Sequence, residues 1–109
     1  MKYKRVLLKV SGEALSGKTP IDFEKATETA LQIKALHDAG CLLGVVVGGG
    51  NIWRGRSGGT MDRSRADNIG MLATAMNALA LEQALIDLNV PVRVLSAVSM
   101  DMFMDSYSA

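Results

Sequence analysis

Two short apolar segments, each ending in glycine, limit what this chain can fold into more than any other feature. Residues 5–10 (RVLLKV) precede Ser11-Gly12, and residues 41–47 (CLLGVVV) precede the triple glycine 48–50. Runs of branched apolar residues of this length are typical of strands buried in a parallel sheet. The sequence therefore predicts two buried strands, each followed by a tight turn.

The segment between these strands predicts a helix. Asp22 is a suitable N-cap, apolar residues recur at helical spacing up to about Ala39, and Gly40 stands where a C′ glycine is expected. A strand, a helix and a strand in this order predict a βαβ unit, and hence an α/β fold with a parallel sheet. The helix positions predicted to face the core are Phe23, Ala26, Ala30, Ile33 and Leu36.

One long apolar helix dominates the second half, from near Asp62 to about Leu88. Gly70 weakens it in the middle, which allows a kink or a break. Apolar residues on two stripes predict burial on two faces, one against the sheet and one against a partner such as a second subunit. Residues 92–95 predict a third strand, and residues 99–109 show no completed element. The stripes are Leu72, Met76, Leu79 and Gln83, and Met71, Ala75, Ala78 and Leu85.

The length and composition are those of one globular domain or part of a larger one, and they argue against several classes of function. Among 109 residues, 12 Lys and Arg balance 11 Asp and Glu, so bulk charge recruits neither nucleic acid nor a membrane. We recognise no signal peptide and no apolar run of transmembrane length, which predicts a cytoplasmic location. Single Cys41 and His37 are interpreted as a small core residue and a surface residue, not as nucleophile or metal ligand.

Both glycine clusters are predicted at the carboxyl edge of the same sheet. Open α/β sheets bind ligands at this edge, and glycines let backbone N–H groups approach phosphate oxygens. Such turns also serve simply as tight corners, but two at one edge favour an anionic ligand. Lys9, just before the first turn, and Arg54, just after the second, are candidates to contact it. Lys9 could instead reach water from an edge position.

Residues 12–19 (GEALSGKT) match the phosphate-binding P-loop pattern, but their context argues against a P-loop. A P-loop continues directly into its helix at the Lys-Thr pair, whereas residues 20–22 separate Lys18-Thr19 from the predicted helix. Asp67, at the start of the long helix, is on its own explained by a favourable interaction with the helix dipole.

Three blocks of the sequence, taken in order, resemble the bacterial uridylate kinases of the amino-acid-kinase superfamily. They are residues 9–15 (KVSGEAL), residues 48–55 (GGGNIWRG), and residues 61–77, which include Asp67 and end in GMLATAMN. Residues 105–108 (DSYS) are similar to a later segment. The resemblance implies a three-layer αβα fold with a mainly parallel sheet, of which residues 1–109 would form the N-terminal part.

The resemblance also implies an activity, in which the γ-phosphoryl group of ATP passes to UMP, with Mg²⁺, to give UDP and ADP in pyrimidine nucleotide synthesis. Lys9 and Arg54 match the catalytic positions, and Gly49 and Asp67 match positions that contact UMP, with Asp67 at the ribose. No residue of the chain is assigned as a metal ligand. The positions that match ATP contacts are Lys9, Val10, Ser11, Gly12, Gly50 and Arg54. The loop linked to allosteric GTP, with UTP as a further effector, matches Gly17, Lys18, Thr19, Pro20, Ile21 and Asp22.

Members of this family assemble as hexamers through the helix that corresponds to the long helix here, so the resemblance implies a homo-oligomer. Two departures stand out. The loop between Arg54 and Met61 is shorter than in many members, and the family's C-terminal half, with its UMP-phosphate segment, adenine pocket and second lysine, is not among these residues. Two alternatives stay open: a superfamily relative acting on a carboxylate or carbamate, and a non-catalytic module for nucleotide binding or assembly.

Overall fold

The predicted βαβ unit forms with boundaries close to those expected. In the computed structural model, which describes residues 4–53, 62–96 and 105–106, it consists of β1 (Lys4–Val10), α1 (Phe23–Asp38) and β2 (Cys41–Val47). β1 and β2 pair in parallel over their full length, from Lys4 opposite Cys41 to Val10 opposite Val47. A 3₁₀ turn, Gly12–Leu15, follows β1. The prediction of an α/β fold with a parallel sheet is confirmed.

Both ends of α1 follow the predicted chemistry. The Asp22 carboxylate accepts a hydrogen bond from the backbone N–H of Glu24 at 2.9 Å, so it caps the first turn. Gly40 has φ of 92°, the left-handed conformation that ends a helix and favours glycine. Ala26, Ala30 and Ile33 are buried as predicted, whereas Phe23 is exposed.

The sheet is covered on one face among the described residues. The core lies between that face, α1 and the second long helix, α2 (Arg63–Asp87). On the opposite face, Leu7, Leu42 and Val46 are exposed, so the predicted burial of the two strands holds for only one face of the sheet among the described residues. The third layer of the expected αβα arrangement is not among the described residues. The core residues are Leu15, Ala26, Ala30, Ile33, Leu81, Ala84, Leu85 and Val90.

α2 is continuous through Gly70, so the break that glycine allowed does not occur. Its buried face also differs from the two predicted stripes. Of the eight stripe residues only Leu85 is buried, while Met71, Leu72 and Met76 are exposed. Apolar residues occur on all sides of this helix, so their spacing does not indicate which face is buried. Small residues, which allow another segment to approach closely, decide which face is covered. The buried residues are Ala66, Ala73, Asn77, Ala80, Leu81, Ala84 and Leu85.

The end of the described chain forms a second, minimal parallel pair. β3 (Leu95–Ser96) pairs with β4 (Asp105–Ser106). The predicted strand over 92–95 therefore begins only at Leu95, and the tail holds a short strand where none was predicted. A strand is defined by its hydrogen-bonded partner, and residues 92–94 have no strand partner in the described part of the chain.

α2 is long and apolar enough, by length and composition alone, to cross a membrane. The core helix of a soluble protein passes the same test, and α2 packs along one face against α1. This property is therefore weak evidence for a membrane-spanning role.

Candidate functional site

The two glycine turns meet at the carboxyl edge of the sheet, as predicted. The backbone N–H of Gly48 donates to the carbonyl of Val10 at 2.9 Å, which joins the ends of β2 and β1. Gly12 is buried, and a Cβ atom added to it would lie 2.8 Å from the amide nitrogen of Gly50 and 2.9 Å from that of Asn51. The turns are therefore in direct backbone contact, which a side chain at position 12 would prevent.

The second turn has backbone donors without a partner in the part of the chain that the structure describes. The N–H groups of Ile52 and Trp53 both donate to the Gly49 carbonyl, at 3.1 Å each. Those of Gly49, Gly50 and Asn51 find no acceptor among the described residues. Consecutive backbone N–H groups at a turn are the kind of donor that can bind an anion.

The second turn also lies along one face of α2. A Cβ atom on Gly49 would lie 3.1 Å from that of Ala73 and 3.0 Å from the amide nitrogen of Thr74. The Trp53 indole donates to the carbonyl of Ala66 at 3.1 Å, and its ring lies beside Gly70. Because positions 66, 70, 73 and 77 fall on one helical stripe, small residues along it let the turn approach the helix closely.

A pair of asparagine amides joins the turn to α2. Asn77, fully buried, donates to the carbonyl of Gly48 at 2.7 Å and to Oδ1 of Asn51 at 2.6 Å. Nδ2 of Asn51 donates in return to Oδ1 of Asn77 at 3.0 Å. The sequence analysis assigned no role to either residue. The available signal was that Asn77 places an amide within an otherwise apolar stretch of helix.

The loop from Gly17 to Asp22 contacts the same turn. Nδ2 of Asn51 donates to the carbonyl of Pro20 at 2.7 Å. Within the loop, the N–H of Lys18 donates to the Asp22 carboxylate at 3.1 Å. This bond and the one from Glu24 lower the pKa of Asp22 below its ordinary value of 3.8. The region linked to GTP by resemblance is thus attached directly to the triple-glycine turn.

The P-loop interpretation is excluded by this geometry. Lys18 and Thr19 lie in an exposed loop, and α1 begins only at Phe23. The hydroxyl of Thr19 is engaged locally, donating to the carbonyl of Ile21 at 2.6 Å.

The structure places the charged candidates at different positions around this edge. Lys9 is exposed on β1 opposite Val46, and Ser11 is exposed at the start of the first turn, whereas Val10 between them is buried. Asp67 is exposed on α2, next to Ala66, whose carbonyl accepts the Trp53 indole. Arg54, the other predicted catalytic residue, lies outside the described residues.

His37 and Cys41, interpreted from the sequence as a surface residue and a small core residue, both lie among the described residues. His37 is exposed and contacts Asp38 at 3.4 Å, as expected for a surface residue. Cys41 is a free, half-buried cysteine rather than a core residue. In the described part of the chain, no group of three His, Cys, Asp or Glu side chains could hold a metal ion.

The amino acid kinase family model matches residues 4–108, nearly the whole chain. The chain belongs to the amino acid kinase family. Its fold is similar to that of solved UMP kinases. The UMP kinase from Ureaplasma parvum is 43% identical with a TM-score of 0.92, and the match covers 99% of this chain. The UMP kinase from Bacillus anthracis is 36% identical with a TM-score of 0.88, and the match covers 96% of this chain.

This amino acid kinase chain spans about half the length of both solved structures, since the matches cover 47% and 45% of those proteins. The family assignment supports a phosphotransferase. The two glycine turns lie at the carboxyl edge of the sheet, where open α/β sheets bind ligands.

Proposed function

We propose that the protein is a UMP kinase, transferring the γ-phosphoryl group of ATP to UMP in pyrimidine nucleotide synthesis. The observation that carries this proposal is the contact between the Gly12 turn and the Gly48–Gly50 turn at one sheet edge, where several backbone N–H groups have no acceptor among the described residues. The similarity to two solved UMP kinases supports UMP as the acceptor.

The proposed chemistry asks the protein mainly to position two anions. An oxygen of the UMP phosphate bonds to the γ-phosphorus of ATP while the bond to the β-phosphate oxygen breaks, which releases ADP. The acceptor oxygen is already ionised, so no general base is needed. Backbone N–H groups and cationic side chains offset the charge that spreads over the transferred group.

Within this proposal, each residue has a role that its position suits. Lys9, exposed at the end of β1, contacts the transferred phosphoryl group together with Arg54. Gly49 and Asp67 contact UMP, with Asp67 at the ribose. ATP is contacted by the backbone of residues 10–12 and by Gly50. When bound, Mg²⁺ would offset charge on the ATP phosphates; no residue of this chain is assigned as its ligand, and no group of three His, Cys, Asp or Glu among the described residues could hold it.

The remaining expectations belong to the same proposal. The loop Gly17–Asp22 responds to GTP or UTP. The hydrogen bond from Asn51 to the Pro20 carbonyl supports transmission of this response to the triple-glycine turn. The exposed apolar residues of α2, including Met71, Leu72 and Met76, mediate homo-oligomer contacts. The enzyme acts in the cytoplasm.

An ADP-release assay with several acceptors tests the proposal. The protein expressed from its complete reading frame is supplied with ATP, Mg²⁺ and, separately, UMP, CMP and acetylglutamate. We expect ADP release that depends on UMP. Turnover of acetylglutamate without turnover of UMP would instead identify a relative acting on a carboxylate. Nucleotide binding or mixed oligomers without any turnover would identify a non-catalytic module.

A further inference from the structure

The amide of Asn77 is fully buried, and both its nitrogen and its oxygen have hydrogen-bond partners. Its two N–H groups donate to the Gly48 carbonyl and to Oδ1 of Asn51, and its own oxygen accepts from Asn51. No buried side-chain nitrogen or oxygen lacks a partner within the part of the chain that the structure describes. An amide buried in an apolar helix is costly unless every bond is made, so this arrangement fixes one orientation for both amides.

The pair connects three segments, namely the second glycine turn, α2 and the loop Gly17–Asp22. Through Gly48 it holds the second glycine turn, through the Asn77 backbone it is anchored in α2, and through Asn51 it reaches the Pro20 carbonyl. Oδ1 of Asn51 also lies against Gly12, where an added Cβ atom would collide with it. The position of the Asn51 amide therefore determines how the two glycine turns face each other.

An apolar residue at position 77 could fill the same space but could not make these bonds. It would leave the Gly48 carbonyl and one side of the Asn51 amide without a partner in the interior. The N–H groups of Gly49, Gly50 and Asn51, which have no acceptor within residues 4–53, 62–96 and 105–106, lie in the same turn. Their direction depends on the conformation that Gly48 and Asn51 adopt.

We propose that Asn51 and Asn77 are the positioning residues of the phosphate site, holding the Gly48–Asn51 turn against Gly12 so that its free N–H groups converge on a phosphate. Neither side chain reacts with the substrate. The identity of the ligand rests on the proposed function, whereas the restraint on the turn does not.

Hydrogen exchange tests the restraint without any activity. The amides of Gly48, Ile52 and Trp53 are hydrogen-bonded and report on the turn. In Asn77→Leu we expect them to exchange at least about tenfold faster than in the wild type. Leu81→Ala is the matched control, since Leu81 is buried in the same helix but belongs to the core cluster with α1. It should lower the melting temperature and leave these three amides within about twofold.

Kinetics test the effect on the site. Well below the melting temperature, Asn77→Leu and Asn51→Ala should each lower kcat/KM for UMP by about tenfold or more. The kcat/KM of the double variant should be at most about twofold lower than that of the less active single variant, because the two residues act as one unit. Leu81→Ala should keep kcat/KM within about twofold of the wild type. If Asn77→Leu does not fold, both measurements are made on Asn51→Ala, because Asn51 is only half-buried.

Unchanged exchange in the variants would overturn the restraint. Faster exchange with unchanged kcat/KM would overturn the role in positioning and leave a purely structural pair. If the wild-type protein does not phosphorylate UMP, the proposed function fails. In that case, faster exchange of the three amides in the variants, together with a perturbation of the wild-type Gly49 and Gly50 resonances by inorganic phosphate, would still support a pair that shapes an anion site. The absence of either result would overturn it.

Discussion

Gly12 and Gly50 face each other with no room for a side chain between them: a Cβ atom on Gly12 would lie 2.8 Å from the amide nitrogen of Gly50. The atoms on both sides belong to the backbone, so neither can rotate away. This contact joins the turn after β1 to the turn after β2 and creates the edge at which we place the phosphates.

Gly12→Ala should therefore destabilise the protein. The turn after β2 would have to move, and overpacking of this kind costs about 1–3 kcal/mol. Gly48→Ala is the matched control in the same region, because its Cβ atom would lie 3.5 Å from the amide nitrogen of Gly12, an ordinary contact. Urea denaturation of both variants makes the comparison. Equal stability of the two variants would show that the turns do not press together as described.

Gly70→Ala should stabilise the protein. Gly70 lies inside a continuous helix, and a Cβ atom there would meet the Trp53 ring at 3.6 Å without a clash. Alanine in a helix interior is favoured over glycine by about 0.5–1 kcal/mol. A raised urea midpoint is expected. A lowered midpoint would mean that Trp53 packs more tightly on α2 than this contact indicates.

Asp22 should contribute a pH-dependent part of the stability. Hydrogen bonds from the N–H groups of Lys18 and Glu24 lower the pKa of its carboxyl below 3.8 in the folded state. The contribution is therefore present above the unfolded pKa, near 3.8, and is lost as the pH falls through the lowered folded value. Asp22→Ala should be less stable than the wild type at pH 7, and the difference should shrink below about pH 3.8. Urea midpoints between pH 7 and pH 2 measure this, and a difference that is constant over the range would refute it.

Much of the βαβ unit could be predicted because its local signals agree with one another. The apolar runs, the Asp22 cap and Gly40 each point to the boundaries that the structure has. The shared edge of the two glycine turns followed from parallel strand topology. The exposure of Leu7 and Leu42 could not be predicted, because an apolar run indicates a strand but does not show which of its two faces another segment covers.

The buried face of α2 was missed for a physical reason. With apolar residues on every side, periodicity does not select a face, and the choice falls to Ala66, Gly70 and Ala73, where another segment can approach. The role of Asn77 depends on partners 26 and 29 residues away, Asn51 and Gly48. Local sequence patterns carry no information about such partners.

Asp67→Asn should mainly weaken UMP binding. If the carboxylate accepts hydrogen bonds from the ribose, losing its charge should raise the KM for UMP by roughly tenfold, with a smaller effect on the KM for ATP. Asp87→Asn is the matched control, since it makes the same change at the far end of α2, where Asp87 accepts from Gln83 at 2.8 Å. An unaltered KM for UMP in Asp67→Asn would contradict the assignment.

The central claim, that Lys9 and the two glycine turns transfer a phosphoryl group, is tested most directly by the turnover number of Lys9→Ala with ATP and UMP. Lys9 is exposed, so its removal should change the free energy of unfolding by less than about 0.5 kcal/mol. Lys4→Ala, at the other exposed end of β1, serves as the matched control. We predict that Lys9→Ala lowers kcat by at least about 100-fold while Lys4→Ala does not. Equal turnover by Lys9→Ala and the wild type would contradict the account.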